Sequence, residues 1–173
     1  MIKNIFLKKI IQKGLLRNKN KKKAISYANS QNMGILVNGF DEIDTNQIEN
    51  FIRLLFNEGK KVDTLFFNTQ KVAPAISFPH KVFSKKDINI LGKVTKRDVM
   101  KFLRTEFDIV ISLTLKSSLP IKNILANCRA KFKVGFGEDG NINPLDLTIK
   151  PSNPTEPVKM LEEMMFYLKK INN

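Results

Sequence analysis

The chain has 173 residues, 42% of them hydrophobic, so it can form one packed domain and is too apolar to be disordered. Its formal net charge is +14, from 30 Lys and Arg against 16 Asp and Glu. Cys128 is the one cysteine, which excludes an intramolecular disulfide and a metal site built from several cysteines. The apolar runs are far shorter than the roughly 20 residues of a membrane span, and no export signal is apparent. We therefore expect a cytoplasmic protein.

The N-terminal segment carries most of the excess charge. Residues 1–23 contain nine cations and no acid, whereas the rest of the chain holds 21 cations and all 16 acids. We predict that residues 1–30 form a basic arm, helical over 2–16 and extended or disordered from Arg17 to Lys23 until a partner binds. The apolar side chains of this helix share their faces with lysines, so a membrane-surface helix is the less favoured interpretation. The nine cations are Lys3, Lys8, Lys9, Lys13, Arg17, Lys19, Lys21, Lys22 and Lys23.

Residues 31–173 show the pattern of a Rossmann-like α/β domain. Short apolar runs alternate with segments of helical periodicity, which predicts a single doubly wound, mostly parallel five-stranded sheet with helices on both faces. A strand, a helix and a second strand follow one another within about 30 residues, a right-handed crossover that requires a parallel pair. The predicted strands are 33–37, 62–67, 107–113, 131–136 and 145–149. The predicted helices run from the Asp44 cap to Gly59, over 95–104, from Ser118 to Cys128 and from Thr155 onward.

Two details of this prediction depend on single residues. Thr95 is the expected N-cap of the second of these helices, since it stands three residues before Asp98. Residues 68–92 lack periodicity, and we expect an irregular segment with a short turn around 85–88. The core side of the last helix is expected to consist of Val158, Leu161, Met165 and Leu168.

Gly135, Gly137 and Gly140 satisfy the spacing of a dinucleotide-binding loop and follow a predicted strand. In such a loop the third glycine opens a helix whose N–H groups receive pyrophosphate. Here another strand is predicted to follow, and Glu138 and Asp139 stand where phosphate would bind. We therefore interpret this stretch as a surface connection.

The remaining candidates for chemistry are isolated. His80 is the only histidine and has no sequence-linked nucleophile or ligand partner, and Cys128 lies on the apolar side of a predicted helix. Asp41, Glu42 and Asp44 follow the first strand, where open α/β sheets bind ligands. Helix capping is the favoured role for them. The sequence therefore predicts no catalytic residue, no metal and no cofactor.

A second group of cations lies in residues 81–104, which hold eight cations against two acids, and a third consists of Arg129, Lys131 and Lys133. Neither is accompanied by an aromatic RNA-binding motif, zinc-finger spacing or a basic zipper, so contact with nucleic acid would be to phosphates and not to bases. The residues that we select from the second group for contact with RNA are Lys85, Lys86, Lys96, Arg97, Lys101 and Arg104.

Two resemblances follow from the later segments. The strand 107–113, the helix headed by Ser118 and the stretch 129–136 resemble the N-terminal Rossmann-like half of heptosyltransferase-type glycosyltransferases, which implies the sheet topology and no activity. The basic N-terminus, these segments and the strand 145–149 before a last helix resemble a family of short basic Bacteroidota proteins, a domain of unknown function. That resemblance implies no catalytic residue.

We accordingly expect a non-enzymatic RNA-binding protein, ribosome-associated, that contacts structured RNA, with ribosomal RNA and ribosomal proteins as candidate partners. The alternative is a half-size glycosyltransferase-like protein, binding a nucleotide-sugar or substrate, that lacks its own donor domain. A peripheral membrane protein bound through residues 2–16 is a third, less favoured expectation.

Overall fold

The computed structural model of the protein describes residues 2–19, 25–38, 44–68, 79–115, 118–137 and 142–170. These residues form one sheet of six strands together with five α-helices. The helices are α1 (Ile2–Lys19), α2 (Thr45–Asn57), α3 (Arg97–Arg104), α4 (Leu119–Asn127) and α5 (Pro157–Lys170). The strands are β1 (Asn32–Asn38), β2 (Lys61–Phe67), β3 (Lys81–Phe83), β4 (Glu106–Leu113), β5 (Arg129–Phe136) and β6 (Leu147–Ile149).

All neighbouring strands are parallel, in the order β3-β2-β1-β4-β5-β6, which is the Rossmann order. β1 lies in the middle, with Met33 opposite Val62 of β2 and Ile109 of β4. The predicted single parallel sheet is confirmed, but the number of five strands is wrong. The sixth is β3, an edge strand that pairs with the last three residues of β2. Three residues are too few to show a periodicity in sequence.

Helices cover both faces of the sheet, as predicted. α2 and α5 pack on one face, where Phe51 and Met164 belong to the core. α1, α3 and α4 pack on the other, where Ile11, Phe102 and Ile124 belong to a second core. The central strands are therefore buried on both sides, which explains their nearly continuous apolar sequences.

Two details of the predicted helices are wrong. The N-cap of α3 is Lys96 and not Thr95, whose hydroxyl instead donates to the carbonyl of Asp87 at 3.0 Å. Val158 is 53% exposed, because the core side of α5 is formed by Met160, Leu161, Met164, Met165 and Leu168. The predicted short turn is confirmed as a 3-10 turn over Lys85–Asp87.

α1 packs against α4 and does not extend away from the domain. Leu7 and Ile11 are buried in the second core, and Gly14 faces the carbonyl of Ala126 so closely that a Cβ would lie 2.7 Å from that oxygen. Part of the predicted basic arm, residues 2–19, is thus a helix of the domain, and the prediction of an extended or disordered chain from Arg17 is wrong for residues 17–19, which continue α1. Only about one residue in each turn of α1 is buried. The sequence does not reveal this buried side, because apolar residues also occur on the exposed sides of the helix. The described helices include none that is long and apolar enough to cross a bilayer.

Candidate nucleic-acid interface

The N-terminal half of α1 is joined to the segment that follows β3. The ammonium group of Lys3 donates to the carbonyl oxygens of Lys85 at 3.0 Å and Ile88 at 2.5 Å. Lys3 thereby ties α1 to the 3-10 turn, which carries the exposed side chains of Lys85 and Lys86. The first two basic groups of the sequence are neighbours in the fold because of this contact.

A tight turn places Lys93 beside the middle of α1. Ile88 and Val94 form an antiparallel bridge, and the N–H of Gly92 donates to the carbonyl of Asn89. Gly92 has a φ of +78°, and a Cβ there would lie 3.2 Å from the Cα of Leu7. Both the left-handed backbone and the close approach to α1 require glycine at this position.

The C-terminal end of α1 is joined to the C-terminal end of α4. Asn18 donates its side-chain N–H groups to the carbonyls of Ala126 at 2.8 Å and Cys128 at 3.3 Å. Arg17 donates to the Oδ1 atom of Asn127 at 3.2 Å. The neutral amide of Asn18 therefore satisfies the carbonyl of Ala126 in the last turn of α4, and the side chain of Arg17 remains exposed beside it.

Between these contacts lies the basic cleft, a concavity of about 320 Å³ where α1, α3 and α4 meet the start of β5. Its walls include four cations from four separate segments of the chain. Among the described residues no Asp or Glu lines it. These four cations are Arg17, Lys93, Arg104 and Arg129.

Most of the cations predicted for RNA contact have exposed side chains. We define the basic face as the nine that lie on α1, the 3-10 turn and α3. Two further predicted residues are used inside the domain: Lys3, as above, and Lys96, which donates to the carbonyl of Val82 at 2.6 Å. The side chain of Lys19 and residues 21–23 lie outside the described residues. The nine are Lys8, Lys9, Lys13, Arg17, Lys85, Lys86, Arg97, Lys101 and Arg104.

The basic face also carries apolar side chains. Ile2, Ile5 and Leu16 on the outer side of α1 are more than half exposed, and Phe6 is 39% exposed. They alternate with Lys9 and Lys13, as the sequence predicted. The outer side of α1 is therefore a mixed surface and not a continuous apolar stripe.

Two cations of the third group have structural roles. Lys131 pairs with Asp108 at 2.7 Å, and Lys133 is buried and donates to the carbonyl of Leu125 at 2.5 Å. Burial alone would raise the pKa of Asp108, but Lys131 and the N–H groups of Asn32 and Gln31 outweigh it and hold that pKa below its ordinary value.

Lys93 and Arg129 are the site residues that the sequence prediction did not select. Both had been counted within basic groups, but nothing in their local sequence sets them apart from their neighbours. Arg129 pairs with Glu106 at 3.7 Å, and both side chains are more than half exposed. Their place in the basic cleft depends on contacts between segments distant in the chain.

Of the other candidates, Asp44 has the predicted capping role. Asp44 caps α2 by accepting from the N–H of Asn46 at 3.4 Å, while Asp41 and Glu42 lie outside the described residues. His80 packs edge-on against Phe66 with ring centroids 5.3 Å apart. Cys128 is fully buried, and burial raises the pKa of its thiol. No three His, Cys, Asp or Glu side chains in the described ranges are grouped to hold a metal ion.

The glycine-rich stretch begins inside β5, so the prediction of a surface connection is wrong for Gly135, and the connecting residues 138–141 lie outside the described residues. The next described element after β5 is β6. Gly135 packs against β4, where a Cβ would lie 2.7 Å from the Cβ of Ser112. Gly137 is partly exposed, and Gly140 lies outside the described residues. Close packing of strands explains Gly135 without any ligand.

No curated protein and no solved structure is significantly similar to the chain. One family matches, described as a family of unknown function, DUF6913, and the match spans residues 3–171. It includes α1 as well as the complete sheet, and it agrees with the expected resemblance to an uncharacterised family. Because the match covers nearly the whole chain, the protein belongs to the DUF6913 family.

Proposed function

We propose that this protein is a non-enzymatic RNA-binding protein whose basic face contacts the phosphates of a structured RNA, with the ribosome as the candidate particle. The observation that carries the proposal is the packing of α1 onto α4 and beside the 3-10 turn. This packing brings cations from residues 8–17 and 85–104 to one side of the sheet. Localisation in the cytoplasm is part of the same proposal.

The arrangement of charge suits a polyphosphate backbone. Lys9, Lys13 and Arg17 are spaced by four residues along α1 and form a row that ends at the basic cleft. In the described part of the chain Lys8, Lys9 and Lys13 make no ion pair. Each cation that meets a phosphate releases a condensed counterion, so affinity would fall steeply with salt. Lysines of this kind position an RNA and do not read its bases.

The test compares two triple variants of the full-length chain that lose equal charge. The first replaces Lys8, Lys9 and Lys13 on the basic face with Gln. The control replaces Arg53, Lys159 and Lys170 on the opposite layer, α2 and α5, with Gln. We expect the first variant to bind structured RNA more weakly and to lower the slope of log K against log salt by about 2–3, because each lost phosphate contact removes about 0.7–0.9 from the slope. The control should match the wild type.

Cell fractionation provides the second readout. We expect the wild type to sediment with ribosomal particles at low salt and to be released by high salt or RNase. Equal binding of RNA by both triple variants would contradict the proposal. Sedimentation with anionic vesicles in place of RNA would also contradict it, and would assign the mixed apolar and basic surface of α1 to a membrane.

A second candidate function is the binding of a nucleotide-sugar by a glycosyltransferase-like domain that lacks its own donor domain. The observation that favours it is the strand order, which sets the carboxyl ends of β1 and β4 side by side, where open α/β sheets bind ligands. Asp44 does not support it, because its carboxylate caps α2. Thermal-shift measurement with nucleotide-sugars tests this candidate, and an unchanged melting temperature would leave it without support.

A further inference from the structure

We propose that the basic cleft is a binding site for a phosphate monoester, carried by a nucleotide or by the end of an RNA strand. This inference goes beyond the proposed function: the cleft shares Arg17 and Arg104 with the basic face, whereas Lys8, Lys9 and Lys13 are not among its lining residues. It rests on the charge, the hydrogen bonding and the size of the cleft.

The charge of the cleft is larger than its surroundings neutralise. Its four cations face one acid, Glu106, which lies outside the lining and pairs with Arg129 at the exposed rim. In the described ranges neither Lys93 nor Arg104 has an ion-pair partner. A phosphate monoester has a charge of about −1.5 to −2 at pH 7, so it would gain more here than the single charge of a phosphodiester.

The C-terminal ends of α1, α3 and α4 all line the cleft. They account for part of its positive charge, since cations stabilise helix C-termini. They do not account for all of it. In the last turn of α4 the carbonyl of Ala126 accepts from the neutral side chain of Asn18 and that of Leu125 accepts from Lys133, so Arg17 is not needed as a cap of α4. The guanidinium groups of the cleft thus keep donors directed to solvent or to a ligand.

A chain of hydrogen bonds orders the floor of the cleft. Asn123 donates to the carbonyl of Gly92 at 3.2 Å, and Asn127 donates to the side-chain oxygen of Asn123 at 3.0 Å. Asn127 in turn accepts from Arg17. These bonds fix α1, α4 and the turn that holds Lys93 relative to one another, which reduces the ordering that a bound anion would require.

The size and the remaining walls indicate more than a bare phosphate. About 320 Å³ is at the lower end of the range for small-ligand sites. Ile10, Val94, Met100 and Leu103 supply apolar surface beside the cations. A nucleoside monophosphate combines these two chemistries, with the phosphate on the arginines and the base against the apolar wall.

The test is calorimetric titration of the full-length protein with AMP, inorganic phosphate and adenosine. We expect AMP to bind and adenosine not to bind. Arg104→Gln and Arg129→Gln should each weaken AMP roughly tenfold to a hundredfold, as expected for a lost hydrogen bond to a charged group. Arg104→Lys, which keeps the charge but loses the planar fork, should fall between them and the wild type. Unchanged melting temperatures of the variants would exclude a loss of folding.

The Lys8, Lys9 and Lys13 triple variant separates this proposal from the RNA proposal. We expect it to bind AMP as the wild type does. An absence of AMP binding up to about 1 mM, the weakest affinity that matters here, would overturn the cleft proposal. Binding of AMP by Arg104→Gln and Arg129→Gln with the affinity of the wild type would overturn it as well. RNA binding could persist in either case. Tighter binding of an oligonucleotide with a 5′-phosphate than of its 5′-hydroxyl form assigns the site to an RNA end, and equal binding assigns it to a free nucleotide.

Discussion

The two helical layers of this domain differ in their balance of cations and acids. α2 and α5 carry four cations and three acids, whereas α1, α3 and α4 carry ten cations and one acid. Each cation of α2 and α5 contacts a carboxylate or an aromatic ring. Arg53 pairs with Glu49 at 3.9 Å, Lys159 with Glu156 at 2.6 Å and Lys169 with Glu58 at 2.8 Å. Lys170 lies 4.1 Å from the ring centroid of Phe166.

On the layer of α1, α3 and α4, cations lie next to other cations. Lys9, Lys13 and Arg17 follow one another at helical spacing, and such pairs destabilise a helix by a few tenths of a kcal/mol each. Arg17 bonds to Asn127, but Lys9 and Lys13 make no ion pair in the described part of the chain, so their mutual repulsion is not offset there. The layer of α1, α3 and α4 is the one that we propose to meet an anionic partner. Four predictions test the comparison, beginning with the largest effect.

Ile11→Ala is expected to lower the free energy of unfolding by about 2–5 kcal/mol, the usual cost of truncating a fully buried aliphatic side chain. The measurement is urea unfolding of the full-length protein. Leu16→Ala is the control on the same helix, because Leu16 is 73% exposed, and its effect should stay within about 0.5 kcal/mol. Equal, small effects of both variants would mean that α1 is not part of the folded layer.

Asp108→Asn is expected to destabilise the protein by about 1–3 kcal/mol at pH 7, because Asp108 accepts from Lys131 and from the N–H groups of Gln31 and Asn32. The folded pKa lies below the ordinary value of 3.8. The stabilisation is therefore complete above that pH and is lost as pH falls through the folded pKa. The wild type and the variant should converge in acid unfolding.

Glu106→Gln is the matched control for Asp108→Asn, since Glu106 pairs with Arg129 at the surface and is 84% exposed. Its effect should be within the range of surface ion pairs, below about 1 kcal/mol. A cost for Glu106→Gln as large as that for Asp108→Asn would mean that Arg129 is a structural cation like Lys131, and not a cation of the basic cleft.

Gly14→Ala is expected to destabilise the protein by up to about 2 kcal/mol, although alanine favours helix by about 1 kcal/mol. The added Cβ would lie 2.7 Å from the carbonyl oxygen of Ala126, so α1 must move away from α4, at the usual cost of overpacking, about 1–3 kcal/mol. Gln12→Ala on the exposed side of α1 is the control. If Gly14→Ala stabilised the protein as much as Gln12→Ala, the close contact with α4 would be disproved.

Lys9→Gln and Lys13→Gln together are expected to leave the melting temperature unchanged or to raise it slightly. Two repulsive pairs at i, i+4, Lys9 with Lys13 and Lys13 with Arg17, are removed, each worth about 0.2–0.5 kcal/mol. The measurement is thermal unfolding at low salt, with the same variant tested for RNA affinity. Weaker RNA binding without loss of stability would mean that Lys9 and Lys13 contribute to RNA affinity and not to folding. A marked fall in stability would assign these lysines a structural role.

The comparison of layers also shows where sequence reasoning succeeds. The apolar runs of β1, β2 and β4 are buried on both faces, and uninterrupted apolar sequence is what such strands require. The edge strand β3 was missed because a strand of three residues paired on one side needs no apolar run. Val158 was misassigned because one extra apolar residue on the outer side of α5 fits the same helical periodicity.

The basic site was predictable in composition and not in geometry. The exposed cations of α1 and α3 could be selected because their segments contain few acids. Lys93 and Arg129 could not be selected, since their role depends on Gly92 packing against α1 and on Asn127 binding Arg17. Conversely, Lys3 and Lys96 were selected for RNA although their ammonium groups bind backbone carbonyls. Composition does not distinguish a lysine that faces solvent from one that caps a turn.

The amino-acid sequence by itself determined the class of fold and the amount of charge, because periodicity and composition are local properties that survive whatever the chain packs against. Only the tertiary structure decided that residues 2–19 belong to the domain and that Arg129 of the third basic group lies beside cations of the first two. A helix with one narrow buried side is held in a domain by the element that it packs against, which for α1 is α4. The residues of α4 in contact with Gly14 and Arg17 are Ala126 and Asn127, more than a hundred residues later in the chain.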